Sequence, residues 1–287
     1  METFWYTVVT LMLALYAVLD GFDFGVGILY PLLGRSEAGR AVMHDAIGPV
    51  WNGNEVWLIG AAGVLFFAFP KAYAAGFSGF YLALILVLWL LMFRGLALEL
   101  RSHVDHPLWR QLCDVIFSGA SLLLAFVFGA ALGNLIRGVP LDREGYFFVA
   151  LWTDFSTGPE PGILDWFTVL MGMASVVILA LHGANYLALK TEGDLYARAV
   201  ATAALLGWVT LGAAVLVGLG ITVVQPTLPS TTPLTRWATS FPLAEQLSLS
   251  SCSCCDEDTT TLPHSRLRAC SSLHCSEVSP GGAIPTS

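Results

Sequence analysis

The sequence predicts an all-α polytopic membrane protein with about six transmembrane helices. Hydrophobic residues occupy 56% of its 287 positions and charged residues only 12%, and its mean hydropathy is +0.71. A bilayer core about 30 Å thick requires about 20 mostly apolar residues per helix, and several runs have that length. These runs lack the alternation of apolar and polar residues that is typical of membrane β-strands. We therefore expect helices rather than a barrel.

Charges, glycine and proline bound the apolar runs and mark the ends of the expected helices. The six predicted spans are residues 4–33, 53–69, 76–100, 109–136, 164–189 and 196–224. No basic residue precedes the first apolar run, so we expect a retained helix there rather than a signal peptide. Residues 1–224 are thus predicted to form one transmembrane helical domain.

Basic residues in the short loops predict the orientation, because cytoplasmic loops are enriched in lysine and arginine. Three alternate loops carry such residues: Arg35 and Arg40, Arg101 and Arg110, and Lys190 and Arg198. These loops are expected to face the cytoplasm, which places the N-terminus outside. The formal net charge of -8 argues against nucleic-acid binding.

Residues 225–287 differ sharply from the rest of the chain. They are rich in Ser, Thr and Cys and contain no apolar run long enough to span a bilayer. The Cys and His residues there lack the paired spacing of a zinc site, so we predict no metal site. The segment is interpreted either as disordered or as the product of a shifted reading frame.

Ionisable side chains at membrane depth are costly and are therefore candidates for function. Asp20 and Asp23 lie in the inner half of the first helix. Asp23 is predicted to exchange protons, since Gly21 and Gly25 allow another helix to come close. The alternative role is a structural hydrogen bond to a neighbouring helix.

The stretch WNGNEVW, which opens the second span, places polar residues between Trp51 and Trp57. Asn52 and Asn54 are suited to cap free backbone N–H groups, and Glu55 favours the helix N-terminal dipole. Tryptophan is frequent at the headgroup level of membranes. Capping alone accounts for most of this pattern.

Three further polar residues are predicted on the same inner side of the membrane. Arg94 and Glu99 lie near the end of the third span, and His182 lies near the end of the fifth. Each has a simple alternative, such as an arginine that reaches the headgroups or a histidine bonded to a carbonyl. Together with Asp23 and Glu55 they predict a hydrated proton path that opens toward the cytoplasm.

Other chemistries find little support in the sequence. It contains no glycine-rich phosphate loop, no nucleophile elbow and no zinc-protease motif. Haem ligation by this chain is not expected, because His182 is the one histidine predicted at membrane depth. We therefore expect any redox cofactor to be held by a partner chain.

Five motifs, in this order, resemble subunit II of the cytochrome bd-type quinol oxidases. They are DGFDFGVGILYPLLGR, DAIGPVWNGNEVWL, AGFSGFYLALILVL, FRGLALELR and HGANYL. The resemblance implies a four-helix bundle plus part of a second bundle, since members of the family usually have eight spans in two such bundles. It covers about residues 1–224.

The resemblance also implies a function in the aerobic respiratory chain. Quinol is oxidised, oxygen is reduced to water, and protons are taken from the cytoplasm. Haem b and haem d are held by the partner subunit I, while subunit II supports it and helps to form the proton path. A quinone bound near Trp51, a small third subunit and a location in the bacterial inner membrane are further implications.

The same resemblance assigns the acidic position of helix one to Asp23, the basic position of helix three to Arg94, and a later acidic position to Glu99. Some members carry Asp directly after the tryptophan, where this chain has Asn52, which does not titrate. Glu55 or Glu99 would then take up the proton. The competing hypothesis is a proton-coupled secondary transporter, although no clear internal repeat supports it. A structural scaffold is a third hypothesis.

Overall fold

The computed structural model describes residues 1–158 and 161–226, and eight α-helices lie within these ranges. They are α1 (Glu2–Leu33), α2 (Glu37–Ile47), α3 (Trp51–Ala68), α4 (Pro70–Gly79), α5 (Tyr81–Leu100), α6 (Pro107–Arg137), α7 (Trp166–Lys190) and α8 (Gly193–Val224). Residues 227–287 of the segment 225–287 lie outside the described residues, so the interpretation of that segment as disordered or frame-shifted stays a prediction.

Five of the described helices are long and apolar enough to cross a membrane, which confirms the all-α polytopic class. They are α1, α5, α6, α7 and α8. The second predicted span corresponds to α3, which does not join this set. Its first five residues include Asn52, Asn54 and Glu55, and these polar side chains lower its hydropathy.

The third predicted span, 76–100, is interrupted in the structure. Helix α4 ends at Gly79 and α5 begins at Tyr81. The Phe147 ring from the loop after α6 packs where a Cβ on Gly79 would lie, and it meets Phe80 edge-on at 5.0 Å. A long-range contact of this kind leaves no signal in local hydropathy.

The short helix α2 was not among the predicted elements. Its N-cap Ser36 accepts a hydrogen bond from the backbone N–H of Gly39 at 3.1 Å. It is held across the bundle by His44, whose Nε2 bonds to the carbonyl oxygen of Leu98 at 2.9 Å. The Tyr186 hydroxyl of α7 donates to the carbonyl oxygen of Ala46 at 2.7 Å. Helix α2 therefore bridges the ends of α5 and α7.

Helix α1 lies at the centre of the assembly and packs against α3, α6 and α7. Helix α5 packs on α6, so that α1, α3, α5 and α6 form a four-helix group, and α8 packs on α7 beside it. The crossing of α1 and α7 is close because Gly25 faces Gly183, where a Cβ on either residue would overlap backbone atoms of the other helix. Such small-residue contacts are typical of membrane helix packing.

The three loops rich in basic residues lie at one end of the bundle. Arg101 after α5 bonds to Glu37 of α2 at 2.9 Å, and Arg40 of α2 bonds to Asp114 of α6 at 3.3 Å. The hydrogen bond from Tyr186 brings the end of α7 to the same place. This end is the one predicted to face the cytoplasm, and it also contains the start of α3.

Candidate functional site

A fully buried arginine lies at the centre of the candidate site. Arg94 of α5 and Asp20 of α1 are both 0% exposed. The two terminal nitrogens of Arg94 donate to the two carboxylate oxygens of Asp20, at 2.9 and 2.5 Å. This bidentate pair is the strongest geometry available to an arginine and a carboxylate.

Asp23 lies beside this pair but is bonded differently. Its Oδ2 accepts a hydrogen bond from Nδ2 of Asn54 at 2.8 Å and lies 3.7 Å from the nearest guanidinium nitrogen of Arg94. Asn54 Nδ2 also donates to the backbone carbonyl oxygen of Leu19 at 3.1 Å. Among the described residues, Oδ1 of Asp23 has no hydrogen-bond partner. The short hydrogen bond of Asp23 therefore comes from a neutral amide, and Arg94 is a more distant ion-pair partner.

Glu55, one turn after the start of α3, completes the group. Its Oε1 lies 3.4 Å from Nη1 of Arg94, and its side chain is 24% exposed, so it links the buried pair to the surroundings. The Phe24 ring lies 4.4 Å from the guanidinium carbon of Arg94 and adds a cation–π contact. We call Arg94, Asp20, Asp23, Asn54 and Glu55 the Arg94 cluster.

The structure brings together three of the five residues predicted for a proton path, namely Asp23, Glu55 and Arg94. Glu99 is exposed. It lies five positions after Arg94, which places its side chain about 140° away around α5. The structure thus leaves Glu99 outside the Arg94 cluster.

His182 contacts a different face of α1. Its Nε2 lies 2.9 Å from the carbonyl oxygen of Val18, and its ring packs beside Phe22 at 6.1 Å. A carbonyl oxygen accepts only, so Nε2 carries the hydrogen and donates it. The structure does not place His182 in the Arg94 cluster. The bond to a carbonyl is the simpler role considered for this residue.

Trp51 is the first residue of α3 and is half-buried. Its ring lies against Gly95, where an added Cβ would come within 3.3 Å of the ring. It also packs against the larger apolar core of the bundle. Trp51 therefore lies one turn before Glu55, at the same end of the helices as the Arg94 cluster.

The roles of two residues of the site were not predicted from the sequence. Asp20 was placed beside Asp23 without an assigned role, yet it is the ion-pair partner of Arg94. Asn54 was interpreted as a helix cap, but its side chain bonds to Asp23 instead. The close approach of glycines predicted next to Asp23 occurs on another face, because Gly25 contacts α7.

A second ionic group, which we call the helix-end network, joins α2, α6 and the loop between α5 and α6. Its members are Arg40, Arg101, Arg110, Glu37, Asp105 and Asp114. Arg101 Nε donates to Asp114 at 2.6 Å. Burial lowers the pKa of the Arg101 guanidinium, but the hydrogen bonds to Asp114 and Glu37 and the nearby negative charges together outweigh it, so the pKa lies above its usual range.

The described residues include no candidate metal site. No group of three or more His, Cys, Asp or Glu side chains there is placed to hold a metal ion. The Nε2 atoms of His44 and His182 are both bonded to backbone carbonyl oxygens. The Nε2 atoms of these two residues are therefore already engaged by the backbone.

The fold and this site define a class of protein: a polytopic helical membrane protein with a buried cluster of ionisable residues that connects to one end of its bundle. Within that class, the family model described as cytochrome bd terminal oxidase subunit II matches residues 1–254. The chain belongs to this family, which confirms the resemblance drawn from its five motifs.

Individual relatives agree with the family. The chain is 42% identical over 218 residues to cytochrome bd-I ubiquinol oxidase subunit 2 of Escherichia coli K12, covering 76% of this chain and 56% of that protein. It is 42% identical over 214 residues to a probable cytochrome oxidase subunit 2 of Haemophilus influenzae, covering 75% and 55%. Cytochrome bd ubiquinol oxidase subunit 2 of Bacillus subtilis is 36% identical over 195 residues, covering 68% and 55%. The chain spans about half the length of the curated relatives it matches.

Proposed function

We propose that this chain acts as subunit II of a cytochrome bd-type quinol:oxygen oxidoreductase in the aerobic electron transport chain. In this role it supports a haem-bearing subunit I, which holds haem b and haem d and oxidises quinol. Family membership supports the assignment. The protein would lie in the bacterial inner membrane with its N-terminus outside.

The Arg94 cluster carries the second part of the proposal, a proton path from the cytoplasm. Glu55 is partly exposed near the end of the bundle, whereas Asp23 is fully buried, and both flank the same guanidinium. Carboxyl groups can take up and release protons, while arginine keeps its charge and orients them. Glu55 would accept a proton from water and Asp23 would hold it deeper in the bundle. Arg94 would stabilise the ionised form of each.

Glu99 and His182 have a weaker place in this path. Glu99 is exposed, so it would act at most as a collector of protons ahead of Glu55. His182 donates to a backbone carbonyl oxygen and would have to leave that bond to carry a proton. We therefore order the candidates with Asp23 and Glu55 first.

A quinone bound near Trp51 is the third part of the proposal. The half-buried indole lies one turn before Glu55 and presents an aromatic face of the kind on which a quinone ring can stack. Replacing Trp51 with Ala is expected to lower the quinone extracted from the purified protein. Trp208 on α8, which is 69% exposed, provides the matched control. Equal quinone content in both variants would argue against binding at Trp51.

The experiment that tests the assignment is co-expression of the full chain with a haem-bearing subunit I, followed by purification through a tag on this chain. We expect haem b and haem d absorbance in the purified material, together with quinol-driven oxygen consumption. A proton-coupled transporter would instead give substrate uptake by the chain alone and no haem. Purification of the chain free of a haem-bearing partner would contradict the proposal.

A further inference from the structure

The charges within the Arg94 cluster do not balance. One guanidinium faces the carboxylates of Asp20, Asp23 and Glu55, at 2.5, 3.7 and 3.4 Å. Glu55 is partly exposed and can be solvated, but Asp20 and Asp23 are both 0% exposed. An unpaired charge in a dry interior is so costly that the group becomes neutral instead. Either Asp20 or Asp23 must therefore be protonated.

Hydrogen-bond geometry shows which of the two is neutral. Both oxygens of Asp20 accept N–H groups from Arg94, an arrangement that only an ionised carboxylate satisfies fully. Asp23 has a single neutral donor on Oδ2, and its Oδ1 has no partner among the described residues. An ionised Asp23 would leave a buried, charged Oδ1 without a donor, whereas the neutral form leaves only an O–H group there, which costs less.

Asn54 decides which oxygen of Asp23 is left for the proton. An asparagine amide can be turned to present either a donor or an acceptor. Here the carbonyl oxygen of Leu19 fixes its orientation, because a carbonyl can only accept and Nδ2 lies 3.1 Å from it. Nδ2 therefore also faces Asp23 and donates to Oδ2. The hydrogen of the carboxyl group then belongs on Oδ1.

From this geometry we infer that Asp23 is the carboxyl group that holds a proton in the resting protein, with Asp20 as the permanent counter-ion of Arg94. Asn54 is a positioning residue that keeps the proton on Oδ1 of Asp23. This division deepens the proposed proton path and rests on it for its role in turnover. Tyr16 of α1 and Tyr186 of α7 are further titratable side chains that interact with this pair.

Infrared spectroscopy of the full chain in membranes tests the inference without turnover. A protonated carboxyl group in an apolar site gives a C=O stretching band apart from amide and carboxylate bands, and labelling aspartate with ¹³C at its carboxyl group shifts the band only if it belongs to Asp. We expect one such band in the wild type and none in Asp23→Asn. Glu55→Gln should retain it.

The Asn54 variants give the sharper result. A hydrogen bond to the C=O oxygen lowers its stretching frequency, so Asn54→Leu should move the band upward. Asn54→Ala, which removes the donor with less bulk, should do the same. Asn52→Leu is the matched control, since Asn52 is exposed at the same end of α3, and it should leave the band in place. A purely structural role of Asn54 would not shift a carboxyl band.

Two results would overturn the inference: a folded wild type without the labelled band, or a band that survives Asp23→Asn. Failure of the proposed function is a separate outcome, because it appears as loss of haem partnership or of oxygen consumption while the band remains. The circular dichroism spectrum of each variant shows whether its helices have formed before its band is compared.

Discussion

The Arg94 cluster and the helix-end network use the same residue types but differ in charge balance and exposure. In the Arg94 cluster one guanidinium faces three carboxylates, and Arg94, Asp20 and Asp23 are fully buried. In the helix-end network three arginines pair with three carboxylates, and the paired side chains range from 9% to 93% exposed. A balanced network has no need to bind a proton, whereas the unbalanced cluster does.

This difference agrees with a structural role for the helix-end network and with the proposed proton path through the Arg94 cluster. The helix-end network joins α2, α6 and the loop after α5, so it fixes the end of the bundle and its charges can remain as they are. The Arg94 cluster also joins three helices, but it does so at the cost of excess negative charge in a dry interior. Proton binding relieves that cost, and proton release restores it, which is what a proton path requires.

Removing the buried cation should have the largest effect. Arg94→Gln removes the bidentate partner of Asp20 and the cation beside Glu55, and breaking such a buried pair typically costs about 3–5 kcal/mol. We expect little folded protein in the membrane, measured by the yield and the melting temperature of the purified chain. Arg94→Lys should recover part of the stability, since it keeps the charge but loses the bidentate geometry. Arg35→Gln, at an exposed position, is the control.

An Arg94→Gln chain that melts at the wild-type temperature would contradict the stated dependence of the Arg94 cluster on its cation, because the cluster would then tolerate the loss of that cation.

The two buried aspartates should respond unequally. Asp20→Asn removes the bidentate partner of Arg94 and should destabilise the chain by about 2–3 kcal/mol. Asp23→Asn replaces a neutral carboxyl by a neutral amide of similar shape and should cost less than about 1 kcal/mol. Thermal unfolding of both variants in the same detergent measures the difference. Equal losses, or a larger loss for Asp23→Asn, would contradict the division between them.

Asp114→Asn should have an intermediate effect. It removes the carboxylate that accepts from both Arg40 and Arg101, and we expect a loss of about 1–2 kcal/mol. The Arg40 side chain is 35% exposed and its pair with Asp114 is screened by salt, so this part of the loss should shrink in high salt. The loss from Asp20→Asn should not, since that pair is fully buried. Melting curves at low and high salt would show whether the two regions differ in this way.

The outermost ion pair should contribute least. Asp105 is 93% exposed and its carboxylate lies 2.7 Å from Arg110. Exposed pairs usually contribute about 0–1 kcal/mol, so Asp105→Asn should leave the melting temperature almost unchanged. A substantial shift would mean that the helix-end network is more cooperative than its exposure suggests.

The apolar runs and the rare ionisable residues within them were sufficient for the class of fold and for part of the site. The apolar runs predicted α1, α6, α7 and α8 closely. The rare ionisable residues at depth, Asp23 and Arg94, proved to be neighbours. The 3.6-residue period of an α-helix argues against a place for Glu99 in the Arg94 cluster, because a residue five positions beyond Arg94 cannot share its face of the helix.

Other features depend on contacts between distant segments. Asp20 and Asp23 are three residues apart, so periodicity alone does not decide which of them meets Arg94. The interruption between α4 and α5 involves Phe147 packed on Gly79, and no local sequence pattern predicts that contact. Helix α2 does have a local signal, since Ser36 is its N-cap and Glu37 lies in its first turn. It contains no long apolar run, so hydropathy alone does not reveal it.

The proton path through the Arg94 cluster is tested most directly by the rate of quinol-driven oxygen consumption per haem in the assembled oxidase. This rate is compared between Asp23→Asn and Asp114→Asn. General acid–base groups typically contribute about 10²–10⁴-fold to a rate, so we predict a loss of about tenfold or more for Asp23→Asn with unchanged haem content. Asp114→Asn should keep nearly the wild-type rate per haem, since it affects only assembly. Equal rates per haem in the wild type and in Asp23→Asn would contradict a proton path through the Arg94 cluster.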